Sequence, residues 1–318
     1  MEMTTSLLLQ VLEMAVVLAG APLLIGFVRL LKARLQRRAG PPLFQMYRDL
    51  AKLAVKDAII ANEASWLFRV APYLIFATTW VAAALVPSFA TDLQFSWSGD
   101  LIVIVALLGS ARFFQMLAAL DIGTAFGGIG ASREAMFASL AEPAMLMIVF
   151  SVALVAGSSQ LSAIATFMHS GQAGLRLSLA LGLVALVIVA ITETGRFPVD
   201  NPSTHLELTM IHEAMVLEYA GRHLALIELA NAIRLLLYMS LIACIFVPFG
   251  IAAPGAGFGM LAVGLAAYVV KLAAGAVLLA GFETVIAKMR VFRVPNFVGA
   301  ALMLGLLGTL LLFVSATL

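Results

Sequence analysis

The sequence predicts an all-α integral membrane protein of about eight transmembrane helices plus amphipathic helices on one side, forming a single membrane domain over residues 1–318. Three observations carry this: composition, a series of membrane-length apolar runs, and the way Lys and Arg alternate between connections. The chain is 63% hydrophobic and 11% charged, with a mean hydropathy of +1.08. Soluble domains are roughly 45–50% apolar and about 25% charged. No stretch between the apolar runs is long or mixed enough to bury a core outside a lipid bilayer.

Runs of about 20 apolar residues, enough to cross roughly 30 Å of hydrocarbon, are read at 7–31, 70–89, 101–120, 134–155, 175–194, 224–249, 260–282 and 297–313. No Lys or Arg precedes the first run, so it lacks the basic start of a cleaved signal peptide and is expected to remain as a helix. The first connection holds Lys32, Arg34, Arg37, Arg38, Arg48, Lys52, Lys56 and Arg69. Later odd connections hold Arg133, then Arg196 and Arg222, then Lys288, Arg290 and Arg293. The even connections and both termini hold only Arg176. Basic loops stay in the cytoplasm, so both termini are expected outside.

Arg48, Lys52 and Lys56 recur every four residues, opposite Phe44, Tyr47, Leu50, Leu53 and Ala54, which predicts an amphipathic helix lying along the bilayer surface. A second non-spanning helix is expected over 202–220, started by Asn201-Pro202 and stopped by Gly221.

The net charge of +2 and the absence of a basic aromatic surface exclude a nucleic-acid binder. A single cysteine, Cys244, precludes an internal disulfide or a four-thiolate cluster. Zinc chemistry fails because His212-Glu213 is followed by Val216 where a second His would stand. The stretch Gly127-Gly128-Ile129-Gly130-Ala131-Ser132 lacks a phosphate-loop Lys. Its glycines suit a tight turn or close helix approach, with Ser132 capping the helix that follows.

What remains is a set of ionisable residues in or beside apolar runs: Glu13, Arg112, Glu134, Glu142, Glu193, Glu228, Arg234, Lys271 and Glu283. Each costs at least about 2.5–3.5 kcal/mol at the bilayer centre, so they must pair or meet water. Glu134 and Glu142 share one helix face, as do Glu228, Asn231 and Arg234. Two readings stay open: a proton-passing chain, or ion pairs that only hold helices together. Lys271 stands mid-run where it cannot snorkel, which favours a relay or a buried pair. The fifth connection adds Asp200, His205, Glu207, His212, Glu213 and Glu218, either titratable groups for coupling or a solvated acidic surface.

Lys32-Ala33-Arg34-Leu35-Gln36-Arg37-Arg38-Ala39-Gly40-Pro41-Pro42, with Gln45, Tyr47, Asp49 and Lys52, resembles the first connection of the complex I subunit 1 family. Glu193-Thr194-Gly195-Arg196-Phe197-Pro198-Val199-Asp200 is similar to its acidic loop, Glu218-Tyr219 to its later Glu-Tyr pair, and Ser132-Arg133-Glu134-Ala135 through Glu142 to its third connection. The segment from Asp200 to Glu213 and that from Glu283 to Pro295 resemble the branch of membrane anchors of group 4 [NiFe] hydrogenases, formate hydrogenlyase subunit 4-like. The resemblance implies a non-catalytic subunit in the cytoplasmic (inner) membrane of a bacterium or archaeon. It implies no cofactor on this chain, with iron–sulfur clusters and a NiFe centre in partner subunits. Those partners are hydrogenase-like large and small subunits, an iron–sulfur subunit and antiporter-like membrane subunits. Arg34, Arg37, Arg38, Arg133 and Arg196 would receive the peripheral arm. Glu134, Glu142, Glu193, Asp200, Glu207, Glu213, Glu218, Glu228, Arg234, Lys271 and Glu283 would carry proton relay or coupling. A quinone-binding subunit of an NADH-quinone oxidoreductase is the nearest alternative, and a secondary transporter is one from another class.

The alternation of basic connections predicts that a cysteine engineered at either terminus is labelled from outside intact cells by a membrane-impermeant reagent. Labelling only from the cytoplasmic side would invert the topology.

Overall fold

The computed structural model describes residues 2–91, 93–171, 174, 176–200 and 211–317. Its helices are α1 (Glu2–Leu35), α2 (Gln45–Val55), α3 (Trp66–Ala84), α4 (Leu101–Asp121), α5 (Ala125–Ala156), α6 (Leu161–His169), α7 (Leu177–Glu193), α8 (His212–Val216), α9 (Gly221–Phe246), α10 (Phe258–Val285) and α11 (Val294–Thr317). Seven helices, all but α2, α6, α7 and α8, are long and apolar enough to cross a membrane. The apolar run of α7 yields only 17 helical residues, about 25 Å at 1.5 Å per residue, just under a bilayer core. Among the described residues no strand forms, and only two isolated bridges tie connections together, Ala90 to Ala252 and Asp100 to Gln160.

Local chemistry sets the helix starts. Asp100 accepts the Ile102 N–H at 2.7 Å, Ser65 accepts that of Leu67 at 3.1 Å and Thr124 that of Gly127 at 3.2 Å. Each satisfies one of the orphan donors at a helix start. Thr124, not Ser132, thus caps α5, which begins two turns before the expected apolar run. Ser132 instead donates to the Ile129 carbonyl within the helix. The glycine stretch is helical and works by close approach: a Cβ at Gly127 would stand 2.3 Å from the Ala119 carbonyl of α4.

Lipid tails offer no hydrophobic drive between helices, so close van der Waals packing through small residues must hold them together. Ala71, Ala82, Ala111, Ala144, Ala185 and Ala232 are accordingly fully buried. The two largest helix pairings are α5 with α11 and α3 with α4. By contrast α10 packs mainly on α1 and α9, leaving Val269, Val270 and Leu278 exposed.

The start of α1 and the end of α11 lie at the same end of the bundle, where Asp100 before α4 bridges to Gln160 after α5. Gln10 of α1 donates to the Ala84 carbonyl, where α3 finishes, and Gly308 of α11 abuts Ser178 at the start of α7. The basic connections gather at the other end. There α2 packs on α1 and α9: Arg48 and Lys52 are exposed as expected, but the buried residue is Met46, while Tyr47, Leu50 and Leu53 of the expected apolar face are half-buried and Phe44 and Ala54 are exposed.

Of the second non-spanning helix expected over 202–220, residues 201–210 lie outside the described residues, and the rest is helical only as α8, which ends at Val216 in a turn rather than running on to residue 220. Gly221 does not stop it but opens α9. Its φ of +56° and its approach to the turn after α2, where a Cβ would stand 2.5 Å from the Lys56 carbonyl, explain the glycine. Gly221→Ala is therefore expected to destabilise the protein by about 2 kcal/mol or more. Gly259→Ala, with open space around it, should be neutral. Thermal unfolding in detergent compares them, and equal midpoints would refute this account.

Candidate functional site

Arg112 on α4 is buried, and lipid or protein around a bare guanidinium would be prohibitive. Three carboxylates answer it. Glu134 Oε1 lies 3.4 Å from its Nε, Glu142 Oε1 lies 3.2 Å from Nη1, and Glu193 at the end of α7 contacts Nη2 directly. The eight-residue spacing on α5 that puts Glu134 and Glu142 on one face thus aims both at one cation. Glu134 and Glu193 are buried, whereas the Glu142 side chain is 46% exposed. Arg234 of α9, also buried, lies within electrostatic reach of Glu193 and Glu134, and its Nη2 has no hydrogen-bond partner among the described residues.

From this cluster a polar cavity of about 560 Å³ opens toward the basic end of the bundle. Glu228, Asn231 and Arg234 line one wall, as their three-residue spacing requires, and Arg29 and Lys32 of α1 line another. Glu283 of α10 is shared by Lys32 at 3.1 Å and Arg196 at 3.6 Å. Lys32 also sits 4.4 Å over the Phe197 ring, a favourable seat for a cation. Asp200 is buried and accepts the His212 N–H at 3.3 Å. The His212 ring faces back to the core, Nδ1 standing 3.8 Å from Glu134 Oε2. It is the His212 backbone N–H that reaches Asp200; the imidazole itself lines the cavity and stands beside the Arg112 cluster with neither ring nitrogen hydrogen-bonded among the described residues.

Arg196 and Tyr219 are among the perturbed groups in the connections. Enclosure lowers the pKa of Arg196, and the Glu283 carboxylate opposes that. Tyr219 is pushed up by burial and by Asp121; it stacks on Phe68 at 3.9 Å and donates to the Phe68 carbonyl at 3.0 Å. These contacts fasten the end of the fifth connection to α3.

The structure thus gathers Glu134, Glu142, Glu193, Asp200, Glu228, Arg234 and Glu283 into one connected region. Glu213 lines the cavity mouth with an exposed side chain, and Glu218 is exposed. Glu207 lies outside the described residues. Lys271 is elsewhere: half-buried in α10, it borders a separate apolar groove, and no described carboxylate pairs with it. Arg34, Arg37 and Arg38 are exposed, Arg133 is partly buried, and Arg196 turns inward to Glu283. Arg112 is the hub although sequence pattern marks it only as one charge among several. Lys32 reads as a connection residue until α1 is seen to run on to Leu35. Glu13 is buried and accepts from Ser88 N–H at 2.9 Å and Oγ at 2.7 Å. Among the described residues no three His, Cys, Asp or Glu side chains cluster as a metal site.

A polytopic helical membrane protein with a buried charge cluster leading to a cavity at one end is the class that this geometry defines. Residues 7–314 match the NADH dehydrogenase family, and the chain belongs to that family of complex I subunit 1-like membrane proteins. It is 32% identical to formate hydrogenlyase subunit 4 of Escherichia coli, over 93% of this chain and 95% of that protein. With hydrogenase-4 component C of Escherichia coli it shares 33% identity, over 75% of this chain and 74% of that one. NADH-quinone oxidoreductase subunit 8 of Rhodothermus marinus is 26% identical over 72% of this chain and 69% of its own length. The fold matches a chain in the structure of the membrane-bound sulfane sulfur reductase, an archaeal respiratory membrane complex. That match has a TM-score of 0.80 at 20% identity and covers 98% of this chain and 99% of that one.

Removing the hub should expose its importance. Arg112→Met strands buried Glu134 and Glu193 and is expected to cost about 3–5 kcal/mol, whereas Glu142→Gln, on a half-exposed carboxylate, should cost less than about 1 kcal/mol. Unfolding of the two variants in the same detergent measures this; similar losses would show that the cluster is not the keystone.

Proposed function

We propose that the chain is the membrane-anchor subunit of a membrane-bound [NiFe] hydrogenase or formate hydrogenlyase-like complex. It docks a peripheral iron–sulfur arm and links the arm's redox chemistry to proton translocation. The observation that carries the coupling half is that Glu228, Arg234 and His212 line one cavity together with Glu193, which contacts Arg112 and through it Glu134. The hydrogenase half rests on the 32% identity to formate hydrogenlyase subunit 4 over nearly the whole chain, against 26% for an NADH-quinone oxidoreductase relative over a shorter stretch.

On this reading the basic end faces the cytoplasm of a bacterial or archaeal inner membrane and both termini face out. Arg34, Arg37, Arg38 and Arg133 present charge to the arm, and Arg196 holds the cavity wall behind them. Iron–sulfur clusters and the NiFe centre reside in the large, small and iron–sulfur subunits, and antiporter-like subunits complete the membrane part. Glu193, Asp200, Glu207, Glu213, Glu218 and Glu283 respond to charge in the arm. Glu134, Glu142, Glu228 and Arg234 carry the effect inward, and Lys271 lies off that path. The cavity also supports a second reading, a quinone site, because its volume and its opening at the basic end suit a small polar headgroup.

Assays of the purified complex separate the two. Hydrogen evolution or uptake is expected, with Glu134→Gln lowering proton movement per turnover at least about tenfold while hydrogen chemistry persists. Quinone reduction without hydrogenase activity would overturn the hydrogenase reading and favour the second.

A further inference from the structure

An apolar groove of about 520 Å³ runs between α7, α9 and α10, walled by Val187, Ile191, Ile242 and Leu278, and Lys271 opens into it. Lys271 is the fourteenth of the 28 residues of α10, about 20 Å from either end at 1.5 Å per residue. A lysine stem cannot span that distance, so the ammonium cannot snorkel to a headgroup. Among the described residues it makes no ion pair. Its electrostatic neighbour is Cys244; the buried Glu13 of α1 accepts from Ser88 through Oε1, and although its Oε2 makes no hydrogen bond among the described residues, it forms no ion pair with Lys271. A charge at this depth is unfavourable in hydrocarbon unless it finds a partner.

We propose that the groove seats a transmembrane helix of another subunit that carries an Asp or Glu at mid-membrane depth, whose carboxylate pairs with Lys271. Charge complementarity selects this occupant. A lipid tail fills apolar space but leaves the ammonium bare, and a lipid's anionic headgroup lies too far toward the surface. The face of α10 continuous with the groove is uncovered, Val270 and Leu278 being 66% and 74% exposed, so a helix can lie along it. The inference rests on the proposed function only in requiring that the chain work inside a multi-subunit membrane complex. It does not depend on which reaction the arm performs.

The test uses the whole complex in native membranes, with a photo-reactive amino acid at Ala274, which lines the groove, and at exposed Met303 of α11 as a control. Position 274 is expected to cross-link to one membrane subunit, within a span containing Asp or Glu, and position 303 is not. Lys271→Glu should then cut recovery of that subunit with the complex at least tenfold, and Lys in place of its carboxylate should restore it. Cross-linking to lipid alone, cross-linking to a span without a carboxylate, or a reversed pair that fails to restore assembly would each overturn the proposal. Recovery of the peripheral arm is scored separately: its absence from a complex that retains the cross-linked subunit counts against arm docking and leaves the groove assignment intact.

Discussion

The pairing of Arg112 with carboxylates from two other helices is the interaction on which the interior depends. A guanidinium on α4 in an apolar bundle fixes where α5 and α7 stand, since Glu134 and Glu193 must both reach it and, among the described residues, neither has another Arg or Lys in direct contact. Breaking a buried pair from one side typically costs about 3–5 kcal/mol. Helix packing through alanines and glycines supplies close contact but little directional preference. The charges therefore set the register that the small residues then fill. Such a cluster also has more carboxylates at Arg112 than one cation balances, with Arg234 alongside as a second, incompletely hydrogen-bonded cation. That is a balance which moving one proton would alter.

The cavity follows from helix lengths. α1 and α5 have 34 and 32 residues, about 50 Å each at 1.5 Å per residue, and extend past a hydrocarbon core of roughly 30 Å. α7 has 17 and stops early, so the turn after Glu193 forms below the level that its neighbours reach. Backbone without regular structure at that depth is tolerated only where protein or water satisfies it. Here Thr194 donates to the Ala190 carbonyl, Arg196 pairs with Glu283 and Asp200 accepts from His212. The motif from Glu193 to Asp200 is thus a polar re-entry whose side chains must answer one another, and the space between it and α1 is the cavity.

What the sequence made legible is what helical periodicity encodes. The membrane runs, the amphipathic helix near Arg48, and the shared faces of Glu134 with Glu142 and of Glu228 with Asn231 and Arg234 all depend on neighbours within a few turns. The hub was not legible, because Arg112 finds its partners in other helices and a single sequence carries no such pairings. Helix ends misled for a related reason. Ser132 and Gly221 have the chemistry of a cap and a stop, yet Thr124 already caps α5 and Gly221 is needed where two connections nearly touch. Lys271 shows the opposite case: its position in the run predicts a need for a partner, and that need is not met by any described residue of the chain itself.

Electrostatics limits how a chain without a redox group could couple to one. A unit change of charge about 10 Å from a carboxylate is worth about 1.7 kcal/mol at an effective dielectric constant of about 20, enough to change proton occupancy more than tenfold. At about 20 Å the same change is worth about 0.8 kcal/mol, too little to switch a site. On the proposed reading, exposed groups at the cavity mouth, such as Glu213, therefore sense the arm most directly. The Arg112 cluster lies deeper and must be informed in steps. Arg234, which lines the cavity and lies within electrostatic reach of Glu193 and Glu134, is placed for one step, and the His212 ring, which lines the cavity with Nδ1 3.8 Å from Glu134, for another. Coupling by this route needs a short α7, since a full-length helix would carry its own charged end to the surface and leave the cluster sealed beneath it.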